Sequence, residues 1–308
     1  MPTARINGAR LNYVQLPCTD PNAEDLIMVH GLATSLAFWY LPYGPEFSSR
    51  YRVTLFDLRG HGRSEITESG YTVRNQARDL RGLMHHLEIE RAHFMAHSFG
   101  GAVALALAAD DPAAVASMVL ADTQLWLGRL AGAGRAWPHG AVVEAVLTKL
   151  GLKVDVRSPF FGFELLTCAA RIIVAGKTLP PELISLVGPS LGRHPRRTAQ
   201  RWLDVAERGA AELRAPDGLT ASSFENMHFP ALAMYGERSK ARLTQDFLRS
   251  AWPQAKSFTL PEAGHFFPTS RADAVIAACS VFWDWLEAGN TEAYAQTSFT
   301  SMTRLALT

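Results

Sequence analysis

The sequence predicts an α/β protein: a mostly parallel, twisted β-sheet with helices on both faces and an inserted helical cap. Three observations support this fold class. Short β-type runs alternate with helical stretches in the first and last thirds of the chain. Several of these runs are apolar along most of their length, as in strands covered on both faces. Strand signals are absent between residues 123 and about 225, where apolar residues recur at helical spacing.

Six runs are predicted as strands, in chain order at residues 26–30, 52–57, 93–97, 117–122, 231–236 and 257–260. The runs LIMVH, RVTLF and MVLAD do not alternate between apolar and polar residues, so we expect these strands in the middle of the sheet. With 48% hydrophobic and 19% charged residues, the chain of 308 residues can bury a large core.

The block between the two groups of strands is predicted to be helical. Its apolar residues follow helical spacing, and its prolines divide it into short helices: Pro138, Pro159, Pro180, Pro181, Pro189, Pro195 and Pro216. Because strand signals resume afterwards, a cap inserted into one sheet domain explains the pattern better than two sequential domains. We therefore expect a core at 1–122 and 226–290, a cap at 123–225 and a C-terminal tail at 291–308.

Composition argues against several classes of protein. The formal charge is +1 and the basic residues are scattered, so nucleic acid is not an expected partner. The longest apolar run, 102–109, is far shorter than the roughly 20 residues of a membrane span, and the polar start lacks a secretory signal. Three cysteines in no metal-like spacing, Cys18, Cys168 and Cys279, suit a reducing compartment. A cytoplasmic protein without a bound metal is expected.

Ser98 lies in the most informative segment, HFMAHSFGGAVALALA. It stands between a predicted strand that ends near His97 and an Ala-rich helix that begins near Phe99. A nucleophile on a sharp strand-to-helix turn needs small residues two positions before and after it, because the backbone is crowded there. Ala96 and Gly100 meet that requirement. Ser98 is therefore a candidate nucleophile.

Three further motifs flank this elbow in a fixed order: His30-Gly31 after the first strand, DLRGHGRS at residues 57–64 after the second, and Gly264-His265 near the end. Together with the elbow, they resemble the α/β-hydrolase family, although Ala96 replaces the usual first glycine. The resemblance implies that Ser98 is the nucleophile, that His265 is its general base, and that 57–64 is a structural turn.

The resemblance covers about residues 10–122 and 226–287. It implies that the backbone N–H groups of Leu32 and Phe99 form an oxyanion hole. It implies no metal and no organic cofactor.

The acid of a catalytic triad is the point at which the sequence departs from this family. Relatives carry an Asp shortly after the strand PALAMYG, and Ser239 occupies that place. Asp122 ends an earlier strand and is the preferred acid, since some members supply the carboxylate from there. Glu237 lies two residues before the vacant place and is the alternative. A Ser98–His265 dyad without a carboxylate is the third option.

The expected function is serine hydrolysis of an ester, thioester, lactone or C–C bond in a small, hydrophobic substrate. Aromatic residues are frequent in the cap, and we select Trp126 and Phe161 as candidate substrate-binding residues. Alternatives are a non-hydrolytic acyltransferase or cyclase, a lyase or a cofactor-free oxygenase using the same Ser/His pair, and a non-catalytic binding protein on the same fold. The oligomeric state, with a dimer as one option, stays open.

Overall fold

The computed structural model describes residues 1–131, 137–188 and 195–289. Its centre is an eight-stranded sheet in the order β1-β2-β4-β3-β5-β6-β7-β8. The strands are β1 Thr3–Ile6, β2 Ala9–Leu16, β3 Asp25–Val29, β4 Arg52–Phe56, β5 Ala92–His97, β6 Val115–Ala121, β7 Ala231–Gly236 and β8 Lys256–Leu260. From β4 to β8 all neighbouring strands are parallel, and β1 and β2 are antiparallel to their neighbours. The predicted fold class is confirmed.

The six predicted strands correspond to β3 through β8. All residues of β3, β5, β6 and β7 are buried, which explains why these runs lack polar–apolar alternation.

The sequence reading did not include the N-terminal hairpin of β1 and β2. Its turn is Asn7-Gly8, and both residues have positive φ, 47° and 78°. Asn-Gly is the residue pair that such two-residue hairpin turns favour. The hairpin was therefore readable from a turn signal, although its strands are partly exposed and less apolar than the central ones.

Helices of the core pack on both faces of the sheet. They are α1 Ala37–Tyr40, α2 Gly44–Ser48, α3 Val73–His86 and α4 Phe99–Asp110, and, after β7, α10 Arg242–Ala251, α11 Phe267–Ser270 and α12 Ala272–Glu287. Buried residues of α3, α4 and α10 belong to one apolar cluster, and those of α1, α2 and α12 belong to another. The two clusters sandwich the sheet as layers of one domain.

Between β6 and β7 the described residues form helices and no strand. These helices are α5 Trp126–Ala131, α6 Gly140–Lys149, α7 Phe161–Val174, α8 Pro181–Val187 and α9 Pro195–Leu213. Helix α9 packs beside α7 and reaches the core, where a Cβ on Gly209 would lie 2.7 Å from the Tyr71 ring. We propose that this block is the cap. The predicted tail at 291–308 lies outside the described residues.

The turn at 57–64 is held by the buried carboxylate of Asp57. It accepts hydrogen bonds from the backbone N–H of Leu36 and of Arg63, both at 2.8 Å, and from Asn12 Nδ2 at 2.7 Å. Gly62 has a φ of 51°, and a Cβ there would lie 2.2 Å from that carboxylate. Only glycine at this position leaves room for the carboxylate, which joins the turn to strand β2 and to the segment before α1.

No helix within the described ranges is long and apolar enough to cross a membrane. Over the same ranges, no group of three or more His, Cys, Asp and Glu side chains is arranged to hold a metal ion. Cys18, Cys168 and Cys279 are free thiols, and burial raises the pKa of Cys279 well above its usual range.

Candidate active site

Ser98 occupies the sharp turn between β5 and α4. Its φ of 55° and ψ of −120° are a strained conformation for a residue with a side chain. The Ser98 N–H is held by the carbonyl of Ala121 at 3.0 Å. A Cβ at Gly100 would lie 2.4 Å from the His30 carbonyl oxygen, so this position requires glycine. The turn thus presents Ser98 at the carboxyl edge of the sheet.

His265 joins Ser98 to a buried carboxylate. Its Nε2 lies 2.9 Å from Ser98 Oγ, and its Nδ1 lies 2.5 Å from Asp122 Oδ2. With Nδ1 protonated, the ring donates to Asp122 and accepts from the serine hydroxyl. Ser98 and Asp122 follow neighbouring parallel strands, and His265 lies in the loop after β8, so one sheet edge brings all three together.

Asp122 follows β6 in a left-handed conformation, with φ 51°, and is completely buried. Its Oδ1 accepts from the Gly236 N–H at 2.8 Å. Its Oδ2 accepts from the Ser239 hydroxyl as well as from His265. Ser239 therefore does not leave an empty acid position, because its hydroxyl binds the carboxylate that comes from the neighbouring strand.

Glu237, the alternative acid, has a different partner. Its Oε2 accepts from the Glu262 N–H at 2.8 Å, on the surface side of the same loop region. Within the described residues, the carboxylate at hydrogen-bond distance from His265 is that of Asp122. The geometry favours Asp122 over Glu237 as partner of the imidazole.

Leu32 and Phe99 line the same cavity as Ser98 and His265. Phe99 is the first residue of α4, where backbone N–H groups have no partner within the helix. The loop before Leu32 passes very close to the elbow, since a Cβ on Gly31 would lie 3.1 Å from Ser98 Cβ. Both backbone segments are thus positioned beside the serine.

Three further histidines surround this edge and are buried. Burial lowers the pKa of His30 to about 4 and of His61 to about 3, and lowers that of His97 well below its usual range. His30 Nε2 accepts from the Leu58 N–H at 3.1 Å, and His97 Nε2 lies 3.0 Å from the His265 carbonyl oxygen. These neutral rings fix loops around the site.

A second Ser–His–acid chain lies elsewhere in the core. Ser117 Oγ is 2.7 Å from His93 Nδ1, and His93 Nε2 is 2.9 Å from Glu24 Oε2. Ser117 is completely buried and accepts a hydrogen bond from Trp283 Nε1 at 3.0 Å. No substrate can reach it, so access to a cavity distinguishes Ser98 from this structural serine.

The cavity above Ser98 has a volume of about 690 Å³. Apolar cap side chains form much of its wall: Val142, Val143, Val146, Phe160, Phe161, Phe163, Leu165, Leu166 and Leu186. Phe161, one of the two predicted binding residues, is in this wall. Trp126, the other, does not line the cavity; the centre of its ring lies 5.8 Å from that of Phe160, which does. Cationic Arg129 and Lys240 also line the cavity, and sequence reasoning had not selected them.

The comparisons with known proteins agree with this architecture. A family model described as the alpha/beta hydrolase fold matches residues 26–147. The 3-oxoadipate enol-lactonase 1 of Acinetobacter baylyi is 34% identical over 107 residues, which are 34% of this chain and 40% of that protein. The dihydrolipoyllysine-residue acetyltransferase component of the acetoin cleaving system of Cupriavidus necator is 34% identical over 117 residues, 38% of this chain and 30% of that protein.

Among solved structures, the enol-lactonase from Burkholderia xenovorans LB400 is 25% identical with a TM-score of 0.60, and the match covers 92% of this chain and all of that one. These matches show that the chain has the α/β-hydrolase fold. The matched segments span only 30% to 40% of the two curated relatives.

Proposed function

We propose that the protein is a serine hydrolase that acts through an acyl-enzyme on Ser98. The observation that carries this proposal is the continuous hydrogen-bonded chain from Ser98 through His265 to Asp122 at the floor of a large cavity. A serine hydroxyl is a poor nucleophile until an imidazole removes its proton, and His265 Nε2 is in place to do so.

In the proposed reaction, Ser98 Oγ attacks the substrate carbonyl while His265 Nε2 takes the hydroxyl proton. Asp122 stabilises the imidazolium, and the N–H groups of Leu32 and Phe99 stabilise the oxyanion. His265 then protonates the leaving group. A water molecule, deprotonated by His265, attacks the acyl-enzyme and releases the acid and Ser98.

The proposed substrate is a small, largely apolar ester, thioester, lactone or C–C bond substrate, in keeping with the apolar cap wall. The similarity to an enol-lactonase supports including lactones. Covalent labelling with a fluorophosphonate, followed by turnover of an ester and lactone panel, tests the proposal. A protein that is neither labelled nor active on any of them contradicts it.

Acyl transfer to an alcohol or amine is a second candidate. It uses the same acyl-enzyme and differs only in the acceptor. The similarity of one segment to an acetyltransferase component favours it. Adding alcohols or amines to an ester assay decides between the two, because a transferase forms new esters or amides in preference to acid.

Phe161→Ala is predicted to change substrate choice. Its side chain lines the cavity and is only 8% exposed, so its loss removes apolar contact with long acyl chains. We expect kcat/KM for a hexanoyl ester to fall about tenfold relative to an acetyl ester, as for losing part of one buried side chain. Trp126→Ala, which acts through Phe160, should change this ratio less. An unchanged ratio in both variants contradicts a role of the cap in specificity.

Ser239→Ala tests a positioning role. Removing the hydroxyl takes away one of the hydrogen bonds that hold the Asp122 carboxylate in place against His265. We therefore expect kcat to fall about tenfold with KM unchanged, the loss of a little over one kcal/mol that one hydrogen bond contributes. Ser239→Thr, which keeps the hydroxyl, should restore kcat. Equal kcat values for Ala and wild type contradict this role.

A further inference from the structure

The charged side chains that line the cavity differ in whether each is paired with a side chain of opposite charge. Arg238 is paired with Glu262. Glu182 is paired with Lys149 at 3.1 Å. Arg129 and Lys240 also line the cavity, and no described carboxylate lies within ion-pair distance of either.

Arg129 is held in place by its helix. Helix α5 packs against α10 so closely that a Cβ on Gly128 would lie 2.6 Å from Thr244 Oγ1. The Arg129 Nε is buried without a hydrogen-bond partner among the described residues, and burial lowers the pKa of the guanidinium. Asp217 is the acid whose charge acts on Arg129. Its carboxylate already accepts hydrogen bonds from the Trp126 N–H at 2.6 Å and from the Leu219 N–H at 3.0 Å.

Lys240, like Arg129, has no ion-pair partner among the described residues, and its hydrogen-bond partners are neutral. Its Nζ donates to the carbonyl oxygens of Val156 at 2.7 Å and Ser158 at 2.6 Å, and it stands 5.4 Å from the centre of the Phe161 ring. Burial lowers its pKa to about 8; the charges of Asp155 and Glu164 act against this shift, and the charge of Arg129 adds to it. The two cations are thus close enough to affect each other, and carbonyls do not neutralise Lys240.

The two cations share one end of the site. Arg129, Lys240 and Gln124 line both the main cavity and a small pocket next to it, whose wall also contains Thr244. Gln124 adds an amide donor to this group. The end of the cavity near α5 and α10 is therefore rich in hydrogen-bond donors. The rest of the cap wall is mostly apolar, with His139, Glu182 and Ser185 as its polar members.

We propose that the substrate of Ser98 carries a carboxylate, which Arg129 binds as a fork with Lys240 as a second cation, and which sets the acyl group in place for attack. This inference rests on the proposed hydrolase function. A partly buried cation without a counter-ion is costly, and a bound carboxylate offsets that cost. The guanidinium matches a carboxylate with two parallel hydrogen bonds, so Arg129 gives direction as well as charge.

The test compares two p-nitrophenyl esters of similar length, the mono-ester of adipic acid and the neutral hexanoate. We expect wild type to prefer the anionic ester in kcat/KM by at least about tenfold, and Arg129→Gln to lower that preference by about 100-fold, the loss of a charge-assisted bidentate contact. Arg129→Lys is the matched control, because it keeps the positive charge and loses only the second parallel hydrogen bond, and should keep part of the preference. A wild type that prefers the hexanoate, or an unchanged ratio in Arg129→Gln, overturns the proposal.

A binding measurement without turnover separates this inference from the proposed function. Calorimetry on Ser98→Ala compares hexanoate with hexanamide, which has the same shape and no charge. We expect hexanoate to bind at least about tenfold more tightly, and the additional replacement of Arg129 by Gln to remove the difference. Equal binding of the two ligands overturns the carboxylate site even if the ester panel is hydrolysed. If hexanoate binds selectively to Ser98→Ala but phosphonates do not label the wild type, the carboxylate site is supported and the hydrolase function is contradicted.

Discussion

Ser98→Ala is expected to abolish covalent labelling by a fluorophosphonate and to lower kcat by on the order of 10³ to 10⁶. The hydroxyl is the group within 2.9 Å of His265 Nε2 in the cavity, and alanine leaves nothing for the imidazole to activate. Residual activity would come from the oxyanion donors and from substrate binding alone. Intact-mass spectrometry measures the labelling, and initial rates on a responsive ester measure kcat.

Ser117→Ala provides a matched control within the same chain. Ser117 also bonds to a histidine that bonds to a glutamate, yet it is completely buried beneath Trp283. Labelling of this variant should equal that of wild type, and its cost should be thermal stability, because it removes the acceptor of the Trp283 N–H. Full labelling of Ser98→Ala, with loss of labelling in Ser117→Ala, would reverse the assignment of the nucleophile.

Much of the fold was predictable because its signals are local. The central strands are short apolar runs, and the cap is marked by helical spacing and prolines, so the order of elements follows from pattern alone. The N-terminal hairpin was missed although Asn7-Gly8 signals its turn. Its strands lie at the sheet edge, where half-exposed residues dilute the apolar pattern.

Some site residues can be identified from their neighbours in the sequence, and others only from contacts with distant parts of the chain. Ser98 and His265 stand in short motifs, and their candidacy could be read from neighbouring residues. The bond from Ser239 to Asp122 joins residues 117 positions apart, and nothing in either local segment indicates it. Arg129 lies in the last turn of α5 and Lys240 lies in the turn before α10, and the two come together only in the cavity wall. Contacts between single residues that are far apart in the sequence leave no periodic pattern in it.

Asp122→Asn is expected to lower kcat by about 10⁴ while the fold, checked by circular dichroism, stays intact. An asparagine side chain that donates from its amide nitrogen would meet Nδ1 of His265 as an acceptor and leave the proton on Nε2. The imidazole would then be unable to accept the proton of Ser98. The amide also lacks the charge that stabilises the imidazolium.

Glu237→Gln is the matched control for this carboxylate. Its side chain binds the Glu262 N–H at 2.8 Å, a bond that glutamine can keep through its carbonyl oxygen. We expect kcat within about twofold of wild type, as for surface substitutions of little energetic effect. Steady-state kinetics on both variants and on their combination rank the two acids. A larger loss in Glu237→Gln would move the acid to Glu237, and near-wild-type activity in all three would indicate a Ser98–His265 dyad, because an imidazolium without a carboxylate partner would then suffice for turnover.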